Sequence, residues 1–158
     1  MEITVSIADM KVSDDPEAIL ITRSLGSCIG VAVYDPRVRV GGLLHYLLPE
    51  TWNPDKAKNN PFMFADTGIP LLFKSCYQLG AKKGRMVVKI AGGSQIMDAT
   101  EIFSVGQRNY GALRKIFFRN NILINAKDIG SSVARTMRLS IATGEVSVKI
   151  PGQNYNLL

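Results

Sequence analysis

Short runs of β-branched and aromatic residues dominate the 158-residue sequence, and only two stretches carry helical periodicity, so the pattern predicts an α+β fold built as a sandwich. The helical stretches do not alternate one-for-one with strands, which argues against a regular βαβ series. Hydrophobic residues make up 46% and charged residues 20%, the balance of a compact domain, expected to span residues 1–158 as one unit.

Residues 2–8 and 18–23 read as strands, parted by the polar turn Ser13-Asp14-Asp15-Pro16. Segments 29–34 and 40–48 are apolar and β-branched, and Asp35-Pro36-Arg37-Val38 between them suits a type I turn. They therefore form a hairpin. Residues 49–61, with Pro49, Asn53, Pro54, Asn59, Asn60 and Pro61, read as a loop. A helix is expected to start near Phe64-Ala65-Asp66-Thr67, with Pro70 in its first turn and Gly80 at its end. Ile69, Leu72, Phe73, Cys76 and Leu79 mark its apolar stripe, so Cys76 reads as a small core residue. Residues 85–91 read as a strand ending at Ala91-Gly92-Gly93-Ser94. A second helix follows over 105–120, with Asn109, Leu113, Ile116 and Phe117 on one side. The remainder reads as strand 122–126, a polar loop from Lys127 to Ser132, and a hairpin of 135–142 and 145–150 about Thr143-Gly144.

Several function classes are disfavoured by composition. No apolar run approaches the ~20 residues that a membrane span needs. The start, Met1-Glu2-Ile3-Thr4-Val5, lacks the pattern of a secretory signal, so a cytoplasmic protein with two free thiols, Cys28 and Cys76, is expected. The net charge of +6 comes from scattered Lys and Arg without a dense basic run or a nucleic-acid motif. That spread reads first as a solvated surface and second as attraction for an acidic partner. With one His and no Cys-x-x-Cys, a zinc site is not expected.

The chemistry-bearing residues are Cys28 and the only histidine, His45. Counting back from a two-residue turn, with Tyr34 opposite Arg39, places Cys28 opposite His45 on adjacent antiparallel strands. A one-residue bulge would break that register. An adjacent imidazole can take the thiol proton and hold a thiolate near neutral pH. Gly26 and Ser27, just before the thiol, permit the close backbone approach that an oxyanion site needs. Gly92-Gly93-Ser94 lacks the lysine of a P-loop and the spacing of a dinucleotide fingerprint. It reads as a tight turn beside a pocket, and Gly92 and Gly93 join Gly26 and Ser27 as candidates for the substrate site. On the residues alone, a buried structural cysteine and a catalytic Cys–His pair both remain open.

Together these residues resemble the CheD family of bacterial chemoreceptor glutamine deamidases. The resemblance runs through Thr22, Leu25-Gly26-Ser27-Cys28, His45-Tyr46-Leu47-Leu48-Pro49 and Ala65-Asp66-Thr67. It continues through Lys89-Ile90-Ala91-Gly92-Gly93, Gly106-Gln107-Arg108-Asn109, Asp128-Ile129-Gly130, Arg135 and Thr143-Gly144. It implies a layered α/β sandwich of mixed, mainly antiparallel sheets with about two main helices, related in fold to toxins that deamidate a host GTPase glutamine. It also implies that Cys28 is the nucleophile, His45 the base and acid, and Thr22 the residue that orients the histidine, with no metal or cofactor.

The implied substrate is a glutamine on the helical cytoplasmic bundle of a chemoreceptor, and the implied partner is the phosphatase CheC; a monomer is expected. Two alternatives stay open: hydrolysis of a glutamyl methyl ester at the same site, and a mainly non-catalytic role in regulating CheC. Two positions depart from the family pattern, Ser131 and Ala134, where glycines are usual.

Overall fold

Residues 1–95 and 104–158, which the computed structural model describes, form ten strands and three α-helices. The strands are β1 Glu2–Thr4, β2 Asp9–Ser13, β3 Ile19–Leu25, β4 Ile29–Asp35, β5 Val40–Tyr46, β6 Val87–Gly92, β7 Ala126–Ile129, β8 Arg135–Ser140, β9 Val146–Lys149 and β10 Asn156–Leu157. The helices are α1 Pro54–Asn59, α2 Ala65–Gln78 and α3 Val105–Arg119. Two five-stranded sheets result, ordered β1-β3-β8-β9-β10 and β2-β5-β4-β6-β7. Both are mixed and mainly antiparallel; β1 on β3 and β6 on β7 are parallel. The α+β sandwich expected from the sequence is the fold observed.

Burial along the strands shows the layering. β8 alternates buried and half-buried positions, as a strand with one covered face must. β4 and β5 are buried at every position because their sheet is covered on both faces. One face meets the other sheet through Leu20, Leu25, Ala32, Leu43, Met137 and Leu139. The opposite face meets α2 and α3 through Val31, Val33, Leu44, Ile69, Leu72, Leu113 and Phe117. Cys76 lies in this second core, fully buried, as its place on the apolar stripe predicts.

Several local expectations are corrected. The strand expected over 2–8 stops at Thr4, and the chain turns through Ala8, at φ 55°. Asp9 fixes that turn by accepting from the backbone N–H of Ser6 and Met10, so β2 enters the other sheet. The 49–61 loop contains α1, whose start is signalled by Asn53 capping Asp55 N–H and by Pro54 in the first turn. Pro70 is the sixth residue of α2, beyond the first turn. The strand expected over 122–126 begins only at Ala126. Ile122 and Ile124 instead pack on the helix-side core, and the polar Lys127-Asp128, where the sequence predicts a loop, belong to the edge strand β7.

The β4–β5 hairpin shows the correction that matters most. Its connection holds four residues, because Asp35 pairs with Val40 and Arg39 adopts φ 53°. Tyr34 therefore opposes Gly41, and His45 opposes Gly30 rather than Cys28. The slip is two residues, so every side chain keeps its face and only the partner changes.

Asp35 holds this turn. Its fully buried carboxylate accepts from the N–H of Arg37 and Lys82 and from Arg85 Nε, with Arg85 in a 2.8 Å ion pair. Burial pushes this carboxyl up, but the hydrogen bonds from Arg85 and the two backbone N–H groups outweigh it and hold the pKa below the usual carboxylate value. The stabilisation is thus present above about pH 4 and is lost as pH falls through the lowered pKa. Asp35→Ala is expected to reduce unfolding free energy at pH 7 by about 3 kcal/mol, read by urea denaturation. A loss below about 0.5 kcal/mol would count against the carboxylate as the anchor of the hairpin.

Candidate active site

Three segments from different layers meet around His45. β3 ends in one sheet and β4 begins in the other, so the link 26–28 carries Cys28 across the gap between sheets. A bulge between Thr22 and Leu25, with Ser24 at φ 62°, bends β3 out of register before this crossing. Thr22 faces the inter-sheet layer from one side and His45 from the other, both fully buried. Cys28 is half-buried and packs against the same inter-sheet core. Gly30 opposes His45, and Cys28 lies two residues before Gly30, just beyond the last ladder pair Ile29–Tyr46.

A short chain of hydrogen bonds fixes the histidine. Thr22 Oγ1 lies 2.7 Å from the Val5 carbonyl oxygen and 2.7 Å from His45 Nδ1. The carbonyl can only accept, so it takes the single hydroxyl proton. Thr22 Oγ1 must then accept from His45, which assigns a proton to Nδ1. Neutral His45 therefore presents an unprotonated Nε2. That nitrogen is buried and has no hydrogen-bond partner among the described residues, Cys28 included. Burial pushes the imidazole pKa down from 6.5 to about 4, and burial raises the Cys28 thiol, partly offset by a hydrogen bond from its own backbone N–H. Both effects favour a neutral thiol beside a neutral imidazole at rest, in place of the ion pair expected from the sequence. Cys76, deep in the helix-side core, is pushed up to about 12 by burial.

The loop before the thiol is held through its carbonyls. Gly26 O accepts from Ser94 N–H at 2.9 Å, and Cys28 O accepts from Gly93 N–H at 2.8 Å. Ser27 O accepts from Asn109 Nδ2 at 2.8 Å. Gly92 has φ +114°, and a Cβ there would sit 2.2 Å from the Cys28 carbonyl oxygen, so no other residue fits. Gly26, Ser27, Gly92 and Gly93 are thus all brought to Cys28, the last two as a cradle for its loop.

Sequence reasoning did not assign roles to two supports. Arg135, 4% exposed, donates from Nη1 to Ser94 Oγ at 2.6 Å and pairs with the Asp128 carboxylate at 3.2 Å. It thereby fixes the turn that cradles Cys28. Ser131, where the family usually has glycine, adopts φ +64°, the left-handed region that glycine enters without steric cost; Ala134 does not. A cleft of about 510 Å³ opens beside this network, lined by Lys127, Asp128, Ser131, Arg135 and Lys149. The second support is Asn109, whose signal was a polar residue on an apolar helix face.

The histidine has a consequence for stability. Its folded pKa lies below its unfolded value, so the unfolded chain binds the extra proton between them. The contribution is complete above pH 6.5 and is lost as pH falls toward about 4. Between pH 7 and 4.5 the protein should lose on the order of 2 kcal/mol more unfolding free energy than His45→Gln does. Equal losses in paired urea titrations would contradict a buried neutral imidazole.

Comparison with known proteins gives a consistent result. A family model described as CheD chemotactic sensory transduction matches residues 47–150, a span that leaves Thr22, Cys28 and His45 outside. Whole-length relatives cover those positions. A protein of Syntrophus aciditrophicus named "Probable chemoreceptor glutamine deamidase CheD 1" is 57% identical over 96% of this chain and 95% of its own length. Similarly named proteins of Solibacter usitatus and Anaeromyxobacter dehalogenans are 42% and 43% identical, over 99% and 93% of this chain and 94% and 93% of their own lengths. With two thirds of the sequence under the family model and relatives matched nearly end to end, this chain belongs to the CheD family.

Proposed function

We propose that this protein hydrolyses the side-chain amide of specific chemoreceptor glutamines to glutamate, with Cys28 as nucleophile, His45 as base and acid, and Thr22 as the residue that orients the imidazole. The observation that carries the reading is the Val5–Thr22–His45 hydrogen-bond chain, which leaves Nε2 free in the layer that Cys28 enters. The names of the relatives supply the substrate class.

The chemistry follows from these groups. Nε2 removes the Cys28 proton as sulfur attacks the amide carbon, so the thiol stays protonated until it attacks an electrophile. The backbone N–H groups of Ser27 and Cys28 are the donors proposed for the oxyanion, since the carbonyls of that loop are tied to the turn after β6 and to α3. The imidazolium hands its proton to the departing nitrogen, and ammonia leaves a thioester. Water, deprotonated by the same nitrogen, cleaves the thioester to glutamate and restores the thiol. During each imidazolium stage Nδ1–H remains on Thr22, whose own proton remains on Val5 O.

Cys28→Ala is expected to abolish ammonia release from a receptor fragment while leaving the fold intact. His45→Ala should lower kcat about 10²–10⁴-fold, and Thr22→Ala less, because it removes orientation rather than a reacting group. With His45 at about 4, wild-type kcat/KM should show its acid limb well below pH 6.5. Ammonia release by folded Cys28→Ala would overturn the mechanism. A product mass reflecting exchange of an amide NH2 for OH separates deamidation from methyl ester hydrolysis.

The partner reading rests on the family. A receptor helix would lie across the mouth near residues 49–61, the Gly92-Gly93 turn and Asp128, with CheC competing for the same surface. Exposed Lys56 and Lys58 on α1 would steer an acidic segment. Binding of a receptor fragment to Cys28→Ala should weaken with salt and be displaced by CheC. Independent binding of both would refute a shared surface.

A further inference from the structure

We infer that Asn109 is a positioning residue that locks the nucleophile loop to the histidine strand; the claim deepens the deamidase reading and rests on it for its kinetic arm. The side-chain amide of Asn109 is fully buried on α3 and donates twice. One Nδ2–H goes to Ser27 O at 2.8 Å, the residue before the nucleophile. The other goes to Leu47 O at 2.7 Å, two residues after His45. Both partners are carbonyls, which only accept, so the orientation of the amide is fixed. A single nitrogen thus joins the end of β5 to the loop that crosses between sheets.

This link supplies what the strand ladder does not. Regular pairing of β4 with β5 ends at Ile29–Tyr46, so Cys28 lies just beyond it. On its other flank the loop is held by Gly93 and Ser94. Among the described residues, only Asn109 hydrogen-bonds it toward the strand of His45. Asn109 itself is fixed from two sides. Tyr46 donates its hydroxyl to the Asn109 backbone carbonyl at 2.7 Å, from the position next to His45. One helical turn earlier, Gly106 presses against the supporting turn, where a Cβ would lie 2.5 Å from the carbonyl oxygens of both Gly93 and Ser94. Helix α3, the Gly93 turn and the two strand ends therefore form one rigid bracket around Cys28. Misplacement of a reacting group by about 1 Å can cost about 10²-fold in rate, which sets the expected size of the effect.

The test joins turnover with a thiol reaction that needs no substrate. In Asn109→Ala, kcat for ammonia release from a receptor fragment should fall about 10²-fold with KM changed less than about threefold. Cys28 alkylation by iodoacetamide, compared with and without His45→Ala, reads the coupling of thiol and imidazole directly. In the wild type Nε2 takes the thiol proton as sulfur attacks the iodoacetamide carbon, so the rate should fall when His45 is replaced, whereas Asn109→Ala should show no such dependence. Leu113→Ala, one turn along the same helix in the apolar core, controls for lost stability and should retain the coupling. Tyr46→Phe, which removes only the brace on Asn109, should move kcat and coupling in the same direction by a smaller factor; it decides the matter if Asn109→Ala does not fold. Retained kcat and retained His45 dependence in Asn109→Ala, or equal loss in Leu113→Ala, would overturn the role. If the wild type releases no ammonia, the deamidase reading fails. The alkylation arm still decides Asn109: lost coupling supports the bracket and retained coupling overturns it.

Discussion

The hydrogen bond between Thr22 and His45 is the constraint on which the rest of the site depends. It crosses the space between two sheets and joins β3 of one to β5 of the other. A polar contact in that layer is costly unless every member is satisfied. Val5 O satisfies the threonine, the threonine satisfies Nδ1, and Nε2 is left unpaired among the described residues, as is Asn109 Oδ1 on α3. An orphaned buried nitrogen calls for an explanation, and a proton-accepting role beside a thiol provides one.

Electrostatics then sets the resting state. Burial disfavours both the imidazolium and the thiolate, so both groups rest neutral. Such a pair keeps the sulfur protonated while the site is empty, and therefore less reactive than a standing thiolate. The support around it is mostly backbone. Gly93 and Ser94 hold two carbonyls of the nucleophile loop, Asn109 holds the third, and Arg135 with Asp128 braces the turn from behind.

Much of this was legible in the sequence, for reasons that can be named. β4 and β5 announce themselves by unbroken apolar runs, and the Asp35-Pro36 turn between them fixes a hairpin. The register was misjudged because Arg39 adopts a left-handed φ that nothing in its side chain advertises. Parity survived the slip, and Cys28, just beyond the ladder, still packs against the inter-sheet core. Thr22 carried no signal of its own beyond the family likeness, since a threonine on a strand is ordinary and its partner lies in another sheet. Asn109 and Arg135 were visible as polar residues within otherwise apolar or extended segments. Their roles were not visible, because Asn109 acts on backbone carbonyls and Arg135 on the Ser94 hydroxyl and the Asp128 carboxylate, partners that only the tertiary fold brings near.

The protonation of His45 tests this account most directly, and the protein's single histidine makes its NMR signals unambiguous. Nitrogen-15 shifts and long-range proton correlations of the imidazole at pH 7 report the tautomer, and a titration reports the pKa. The account predicts a neutral ring with its proton on Nδ1 and titration near about 4. A proton on Nε2, or an imidazolium at pH 7, would contradict it.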